Sequence, residues 1–197
     1  ENFDGQSAFI SEKGRMIAAI TAKTNGAVYV TEAELSDVNR IFSSRLSYNK
    51  GAMVLNMLRF KMGDAMFFQA IKNYLKDVNL AYKYAKTPDL QSHLEAVYGS
   101  SLAEFFNDWV YNQGYPSYSI TAQNLGNGQA KFTISQTQSD ASVSFFEMPV
   151  PIRVFGTGGQ QLDLVLNNTV NGESFTENVP FTITSVTFDP EKNIISK

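Results

Sequence analysis

The chain has 197 residues, of which 43% are hydrophobic and 15 are phenylalanine, so it can bury a substantial core and is not disordered. Its formal net charge is −3, without the clustered Lys and Arg that nucleic acid or an anionic membrane surface would require. Cysteine is absent, which excludes disulfides and thiolate chemistry, and no apolar run is long enough to predict a transmembrane segment.

The first helix is expected within residues 6–23. Asn25-Gly26 then signals a turn, and residues 27–30 predict a short strand. Ser36 or Asp37 is expected to cap a short helix that runs through Phe42.

Residues 47–62 are apolar nearly all round, which predicts a helix that is buried on most sides. Asp64 is expected to cap the next helix. Its apolar residues recur at helical spacing and predict a buried stripe formed by Phe67, Ile71, Tyr74, Leu75 and Val78.

Thr87 followed by Pro88 predicts an N-cap and the first residue of a helix, and Gly99 is expected to end it. Ser101 and Glu104 have the spacing of a capping box. The helix that they open is expected to bury Leu102, Phe105, Phe106, Trp109 and Val110, and to end by Gly114.

The pattern changes near Pro116, after which apolar residues alternate and turn signals such as 127–128 and 171–172 recur. About seven short strands are expected, and they indicate a β-sandwich. One of them contains Pro149 and Pro151 and is therefore expected at a sheet edge. Another is expected over residues 179–183. The predicted fold is α+β, with a helical unit over residues 1–116 and a sandwich over residues 117–197.

His93 is the only histidine in the chain. A catalytic zinc site takes about three protein ligands, commonly including His. One His without any Cys does not supply such a set, so no metal ligands are expected in this chain. His93 falls beside the Leu90 and Leu94 stripe and is expected to be a surface or half-buried helix residue.

Residues 46–52, Leu-Ser-Tyr-Asn-Lys-Gly-Ala, resemble the Tyr-x-Lys-Gly signature of the aminopeptidase N family, which are gluzincin zinc metallopeptidases. The likeness continues in Met62-Gly63-Asp64, in residues 87–90 and in Phe-Phe-Asn-Asp-Trp-Val at 105–110. The later strands are similar to the small sandwich that follows the catalytic domain in that family. The resemblance therefore implies the distal, helical part of a thermolysin-like catalytic domain and the sandwich after it.

In that family the Tyr of the signature donates its hydroxyl to the oxyanion formed when zinc-bound water attacks the peptide carbonyl. Tyr48 is the matching position. The zinc ligands of the family precede this signature, so the resemblance implies zinc held by residues upstream of this chain. We therefore expect a fragment that is inactive alone. Its partners would be a peptide substrate and the upstream zinc-bearing subdomain, with a secreted or cell-envelope location.

Three residues near Tyr48 are candidates for supporting the proposed active-site segment. Lys50 is interpreted as a structural charge, Gly51 as a site of close helix packing, and Arg59 as the partner of a buried carboxylate, with substrate contact by Lys50 or Arg59 as the alternative. Two other functions remain open: a binding module based on the sandwich, and a scaffold whose parent protein lacks zinc ligands. The first would group exposed aromatic side chains on one sheet face.

Overall fold

A computed structural model of the chain describes residues 4–197. Helices and then strands follow one another, with the change at Pro116. The α-helices are α1 (Gly5–Ile20), α2 (Val38–Ile41), α3 (Gly51–Met62), α4 (Asp64–Lys76), α5 (Thr87–Tyr98) and α6 (Ala103–Phe106). A short 3₁₀ turn spans Glu32–Glu34, and two π-helices span Ser44–Lys50 and Asn107–Tyr111. None of the helices in this part of the chain is long and apolar enough to cross a membrane.

The helical core forms around Trp109, whose indole is fully buried against Phe105 and Phe146. The five residues expected to face inward on the helix after Ser101 are all buried, which confirms that prediction: Leu102, Phe105, Phe106, Trp109 and Val110. Helix α3 adds the largest apolar contribution, through Met53, Val54, Met57, Leu58 and Met62. Within residues 47–62 only Tyr48, Ala52 and Leu55 are exposed, so the helix is covered on most sides, as expected, although its first residues are π-helical rather than α-helical.

Two expectations for the first helices were wrong. Residues 27–30 form no strand, because Tyr29 N bonds to Val110 O at the end of a helix and no neighbouring strand is available. Asp37 does cap α2, since its carboxylate accepts from Asn39 N and Arg40 N. Asp64 is not a cap: Gly63 occupies that position with φ +78°, and Asp64 is the first helical residue.

Later helix boundaries also differ from the expected ones. The stripe of α4 buries Phe67 and Ala70, while Leu75 is exposed and Val78 lies beyond the end of the helix. Lys86, rather than Thr87, precedes the first turn of α5, and its N–H donates to the Asp89 carboxylate at 2.7 Å. Gly99 ends α5 in the left-handed conformation, as expected.

The capping box at Ser101 and Glu104 is not formed. Ser101 Oγ accepts from Ala103 N at 3.1 Å, but the Glu104 carboxyl faces Glu147 instead of the backbone. Leu102 N finds its acceptor in the Glu95 carboxylate at 2.7 Å. A side chain from the preceding helix therefore replaces the expected partner.

The second half is a β-sandwich, as expected, of two three-stranded antiparallel sheets. Its strands are β1 (Pro116–Gly126), β2 (Gln129–Gln138), β3 (Met148–Gly156), β4 (Gln161–Asn168), β5 (Glu173–Asn178) and β6 (Ile183–Phe188). One sheet has the order β1-β2-β5 and the other β4-β3-β6. Their facing side chains form a second core, which includes Phe132, Ile134, Ile152 and Val154.

The sandwich departs from expectation in three ways. Residues 4–197 contain six strands rather than seven, and residues 179–182 connect β5 to β6 instead of forming the strand expected over 179–183. Strand β3 is central rather than at an edge. It tolerates its prolines because β6 pairs only from Ile152 onward, and Asp189 N bonds to Pro151 O at 2.9 Å. The missing N–H groups therefore interrupt no ladder.

The helical core extends past Pro116. Val143 and Phe146, from the connection between β2 and β3, pack into it, as do Ile194 and Ile195 near the end of the chain. The division into two folding units at residue 116 stays a prediction. The packing shows that segments of the second half complete the core of the first.

Three carboxyl groups meet where the helices face the sandwich: Glu104, Asp108 and Glu147. Asp108 is only 5% exposed and accepts a hydrogen bond from Asn107 Nδ2 at 3.0 Å. Burial raises the pKa of Asp108 to about 6, and the charges of Glu104 and Glu147 add to this effect. Lys61, 3.5 Å from Glu147, is the cation that faces them.

We predict that Trp109→Ala lowers the free energy of unfolding by about 3–5 kcal/mol, because it leaves a cavity at the centre of the helical core. Urea denaturation followed by far-UV circular dichroism would measure the change. Tyr84→Ala is the control: Tyr84 is fully exposed, so its loss should change stability by less than about 0.5 kcal/mol. Equal effects of the two substitutions would contradict the assignment of Trp109 to the core.

Asp108→Asn should remove part of the pH dependence of the free energy of unfolding. A carboxyl whose folded pKa is raised stabilises the fold at low pH, and this contribution is lost as the pH rises from about 4 to about 6. As the pH rises across that window, the free energy of unfolding of the variant should therefore increase by about 1–3 kcal/mol relative to that of the wild-type chain. Urea midpoints from pH 4 to 7 would measure it, with exposed Asp163→Asn as control. Parallel profiles for wild type and Asp108→Asn would contradict the prediction.

Candidate active-site segment around Tyr48

Tyr48 lies on the first π-helix, Ser44–Lys50, which leads directly into α3. Ser43 begins this helix: its Oγ accepts from Leu46 N, and its carbonyl accepts from both Ser47 N at 2.9 Å and Tyr48 N at 3.2 Å. The bond from Tyr48 reaches back five residues, which widens the turn. Short π-helices occur frequently at functional sites.

The Tyr48 side chain is 58% exposed, and within residues 4–197 its hydroxyl makes no hydrogen bond. Ala52 and Leu55 follow at i+4 and i+7 and are exposed on the same helix. Tyr48 therefore belongs to an exposed, largely apolar helix face and is not a packed core tyrosine. Its phenol is available to a ligand or to another part of a larger protein.

Lys50 anchors this helix from the opposite side. It is 1% exposed, and its Nζ donates to Gly26 O at 2.8 Å and Gly114 O at 3.3 Å. Burial lowers the pKa of Lys50 to about 8, Arg45 lowers it further, and Asp140 opposes the shift. This geometry favours the structural interpretation of Lys50 over substrate contact.

Gly51 does not need to be glycine within the described residues. A Cβ there would lie 3.9 Å from its nearest neighbours, Leu46 O and Val28 Cγ1, which is ordinary van der Waals contact. Close helix packing at Gly51 is therefore not found. Gly26 differs from Gly51 in this respect. Its φ is +106°, and a Cβ there would lie 2.7–2.9 Å from side-chain atoms of Leu46 and Arg45.

Arg59 makes a bidentate pair with Asp64, with Nε–Oδ1 and Nη2–Oδ2 distances of 2.7 Å, and its guanidinium lies over the Phe68 ring. The expected carboxylate partner is thus present, but it is exposed rather than buried. The pair connects the end of α3 to the start of α4. This contact favours structural pairing over substrate contact.

His93 is half-buried on α5, as expected. Its Nδ1 lies 2.8 Å from Asp89 O and its Nε2 lies 3.1 Å from Asp77 Oδ2. Both ring nitrogens therefore face acceptors of the chain. Residues 4–197 contain no cluster of three His, Asp or Glu side chains that could hold a metal ion, so these residues do not fit a zinc site.

Sequence reasoning missed a cleft of about 330 Å³ beside the same π-helix. Arg45, three residues before Tyr48, and Arg40 line it, together with Glu34, Tyr29 and Tyr111. The only sequence signal was the charged Arg45 next to the apolar Leu46, just before an apolar helix.

The class of protein follows from comparison with known sequences. The peptidase family M1 domain matches residues 6–109, which is more than half of the chain. The chain belongs to peptidase family M1. Helix α3, Lys50 and Tyr48 lie inside the matched region, and all the strands of the sandwich lie outside it.

Among its relatives, the rice (Oryza sativa subsp. japonica) protein Aminopeptidase M1-C is 40% identical over 85 residues, covering 43% of this chain and 9% of that protein. Tricorn protease-interacting factor F2 of Thermoplasma acidophilum is 29% identical over 157 residues, covering 79% of this chain and 19% of its own length. The chain thus spans about a tenth to a fifth of these relatives.

A solved structure shares the fold. Legionella pneumophila aminopeptidase A, in complex with aspartic acid, superposes with a TM-score of 0.68 at 14% identity. The match covers 82% of this chain and 18% of that one. It therefore extends into the sandwich, which supports the expected order of a helical unit followed by strands.

Gly51→Ala should stabilise this chain by roughly 0.5–1 kcal/mol, because Ala loses less conformational entropy in a helix and its methyl group fits. Gly26→Ala is the matched comparison and should destabilise by roughly 1–3 kcal/mol through backbone strain and the clash with Leu46. Urea denaturation of both variants would measure these changes. Loss of stability in Gly51→Ala would restore the close-packing interpretation.

Proposed function

We propose that the chain is the Tyr48-bearing part of a zinc-dependent aminopeptidase, which hydrolyses N-terminal residues from peptides. The observation that carries this proposal is the placement of Tyr48, on a π-helix within the matched family region, with an exposed and unbonded phenol. A tyrosine that served only core packing would instead bury its ring and pair its hydroxyl.

The chemical role follows from what a phenol does at such a position. Peptide hydrolysis passes through a tetrahedral intermediate whose oxygen carries nearly a full negative charge. The carbonyl oxygen of the bound substrate is a much weaker acceptor. A hydroxyl placed to donate to the developing oxyanion therefore stabilises the transition state more than the substrate. The loss of one such donor typically costs about 3–4 kcal/mol of transition-state stabilisation. In this proposal the Tyr48 hydroxyl donates a hydrogen bond to that oxygen and keeps its proton.

The π-helix supplies the rigidity that this role needs. Ser43 fixes its start, and Lys50 fixes its end through two carbonyl oxygens from distant parts of the chain. A donor that is positioned before the reaction avoids a reorganisation cost during it. Lys50 thus acts on Tyr48 indirectly, by positioning.

The proposal assigns the zinc ligands and the rest of the substrate cleft to other parts of a longer protein. Two facts support this: the chain spans 9–19% of the rice and Thermoplasma relatives, and its one histidine is engaged by Asp77 and Asp89. We therefore expect no aminopeptidase activity from the chain alone. A secreted or cell-envelope location stays a prediction, and cell fractionation would test it.

The binding-module alternative has less support. It requires exposed aromatic rings grouped on one sheet face, whereas Phe132 is fully buried and Phe181 and Phe188 are half-buried against the sandwich core. The scaffold alternative differs from the proposal only in the parent protein, which would lack zinc ligands and activity.

In a protein that carries the complete catalytic domain, Tyr48→Phe should lower kcat by about a hundredfold or more and leave KM nearly unchanged. The substitution removes only the hydroxyl and keeps the ring. An aminoacyl chromogenic amide would be the substrate, and the urea midpoint would be measured in parallel. Tyr84→Phe, at an exposed tyrosine on the α4–α5 connection, is the control and should change neither constant.

Three results would count against the role. Wild-type activity in Tyr48→Phe would exclude the phenol from the chemistry. A rise in KM at constant kcat would make Tyr48 a ground-state binding residue. Equal losses of activity and stability would indicate packing. Absence of activity in the unmutated full-length protein would favour the scaffold alternative.

A further inference from the structure

The cleft beside Arg45 contains a cationic group that the fold leaves partly unused. Arg45 uses only Nη1 for hydrogen bonds within residues 4–197, to Asn25 O at 2.8 Å and Ile20 O at 3.3 Å. Its Nε and Nη2 donate to no described residue. A guanidinium presents its donors as a planar fork that matches a carboxylate.

The other charges of the cleft are already paired. Arg40 Nε lies 3.0 Å from Glu34 Oε1, and its Nη2 donates to Ala27 O and Tyr29 O. The second oxygen of Glu34 accepts from Thr31 N and Thr31 Oγ1. Arg45 therefore carries the positive charge that no carboxylate lining the cleft neutralises.

Neighbouring cations increase the attraction for an anion. Burial and the charge of Arg40 lower the pKa of Arg45, and Arg45 in turn contributes to the lowered pKa of Lys50. Asp140 partly balances Lys50. A half-buried cation next to other cations is stabilised by a bound carboxylate, because the pair forms in a region of low dielectric.

Two aromatic rings line the cleft together with Arg45. Tyr29 and Tyr111 contact each other edge to face, with ring centroids 5.2 Å apart, and both line the cleft. Asn112 and Gln113 add polar groups to its lining. The cleft thus combines one forked cation with an aromatic surface, a combination that fits an apolar residue carrying a carboxylate.

We propose that this cleft is a carboxylate-binding subsite for peptides, in which Arg45 receives the C-terminal carboxylate and the Tyr29–Tyr111 pair packs against the last side chain. Arg45 and Tyr48 share one π-helix, less than a turn apart, so the subsite belongs to the same structural unit as the proposed catalytic phenol. The proposal rests on the proposed function only in taking peptides as the ligand class.

The test uses the chain as it is, with N-acetyl-phenylalanine and its C-terminal amide as paired probes. The Arg45 Nε–H signal and the amides of the cleft would be followed by NMR titration. The acid should bind about tenfold or more tightly than the amide, since only the acid forms the charge-assisted pair. Arg45→Gln should abolish this preference. Arg153→Gln is the matched control, since Arg153 pairs with Asp163 on the distant β3–β4 surface.

Equal binding of acid and amide, or an unchanged preference in Arg45→Gln, would overturn the proposal. If Arg45→Gln does not fold, the wild-type titration decides: shifts confined to the cleft support the subsite, and shifts elsewhere overturn it. Tighter binding of N-acetyl-glutamate amide would assign the cleft to an acidic side chain and overturn the C-terminal assignment. Every probe has a blocked amine and is therefore not a substrate for an aminopeptidase. Failure of the probes to bind would not contradict the proposed role of Tyr48, and loss of that role would not contradict the binding.

Discussion

The buried ammonium of Lys50 holds together the part of the molecule on which the proposed function depends. Its two acceptors, Gly26 O and Gly114 O, lie 24 positions before it and 64 after it in the chain. Both acceptors belong to glycines in positive-φ conformations. An unbonded ammonium would be costly at this depth, so the loop after α1 and the connection into β1 are constrained to supply their carbonyls. The π-helix between them is thereby fixed, and with it Tyr48.

This arrangement also sets the electrostatics of the site. Arg40, Arg45 and Lys50 lie on or next to one short helix, whereas the chain as a whole is acidic. Two of these cations are directed inward to carbonyl oxygens, and Arg45 keeps part of its fork facing the cleft. The opposite face of the helix is apolar and presents Tyr48. One helical segment therefore separates a proposed catalytic face from a proposed carboxylate-binding face.

The two halves of the chain depend on each other through packing rather than through the connection at Pro116 alone. Trp109, from the helical half, contacts Phe146 from the β2–β3 connection, and Ile194 and Ile195 close the same core. The carboxyl groups of Glu104, Asp108 and Glu147 meet at this junction, where burial disfavours the charged forms of Glu104 and Asp108. Protonation of these two groups would therefore relieve the cost of burying them at the junction.

The sequence by itself determined the order of helices and strands, the inward face around Trp109 and the family signature at Tyr48. These features depend on local periodicity, on capping residues such as Asp37 and Gly99, and on a short motif. Only the tertiary structure decided the features that depend on distant partners. Strand β3 is central because β6 begins to pair beyond its prolines, and residues 27–30 are not a strand because their partner is the end of a helix. Likewise, Arg45 becomes a candidate ligand-binding residue only once the fold shows which of its donors the backbone has already used. Hydrogen-bond partners of this kind come from residues far away in the chain, so no local pattern encodes them.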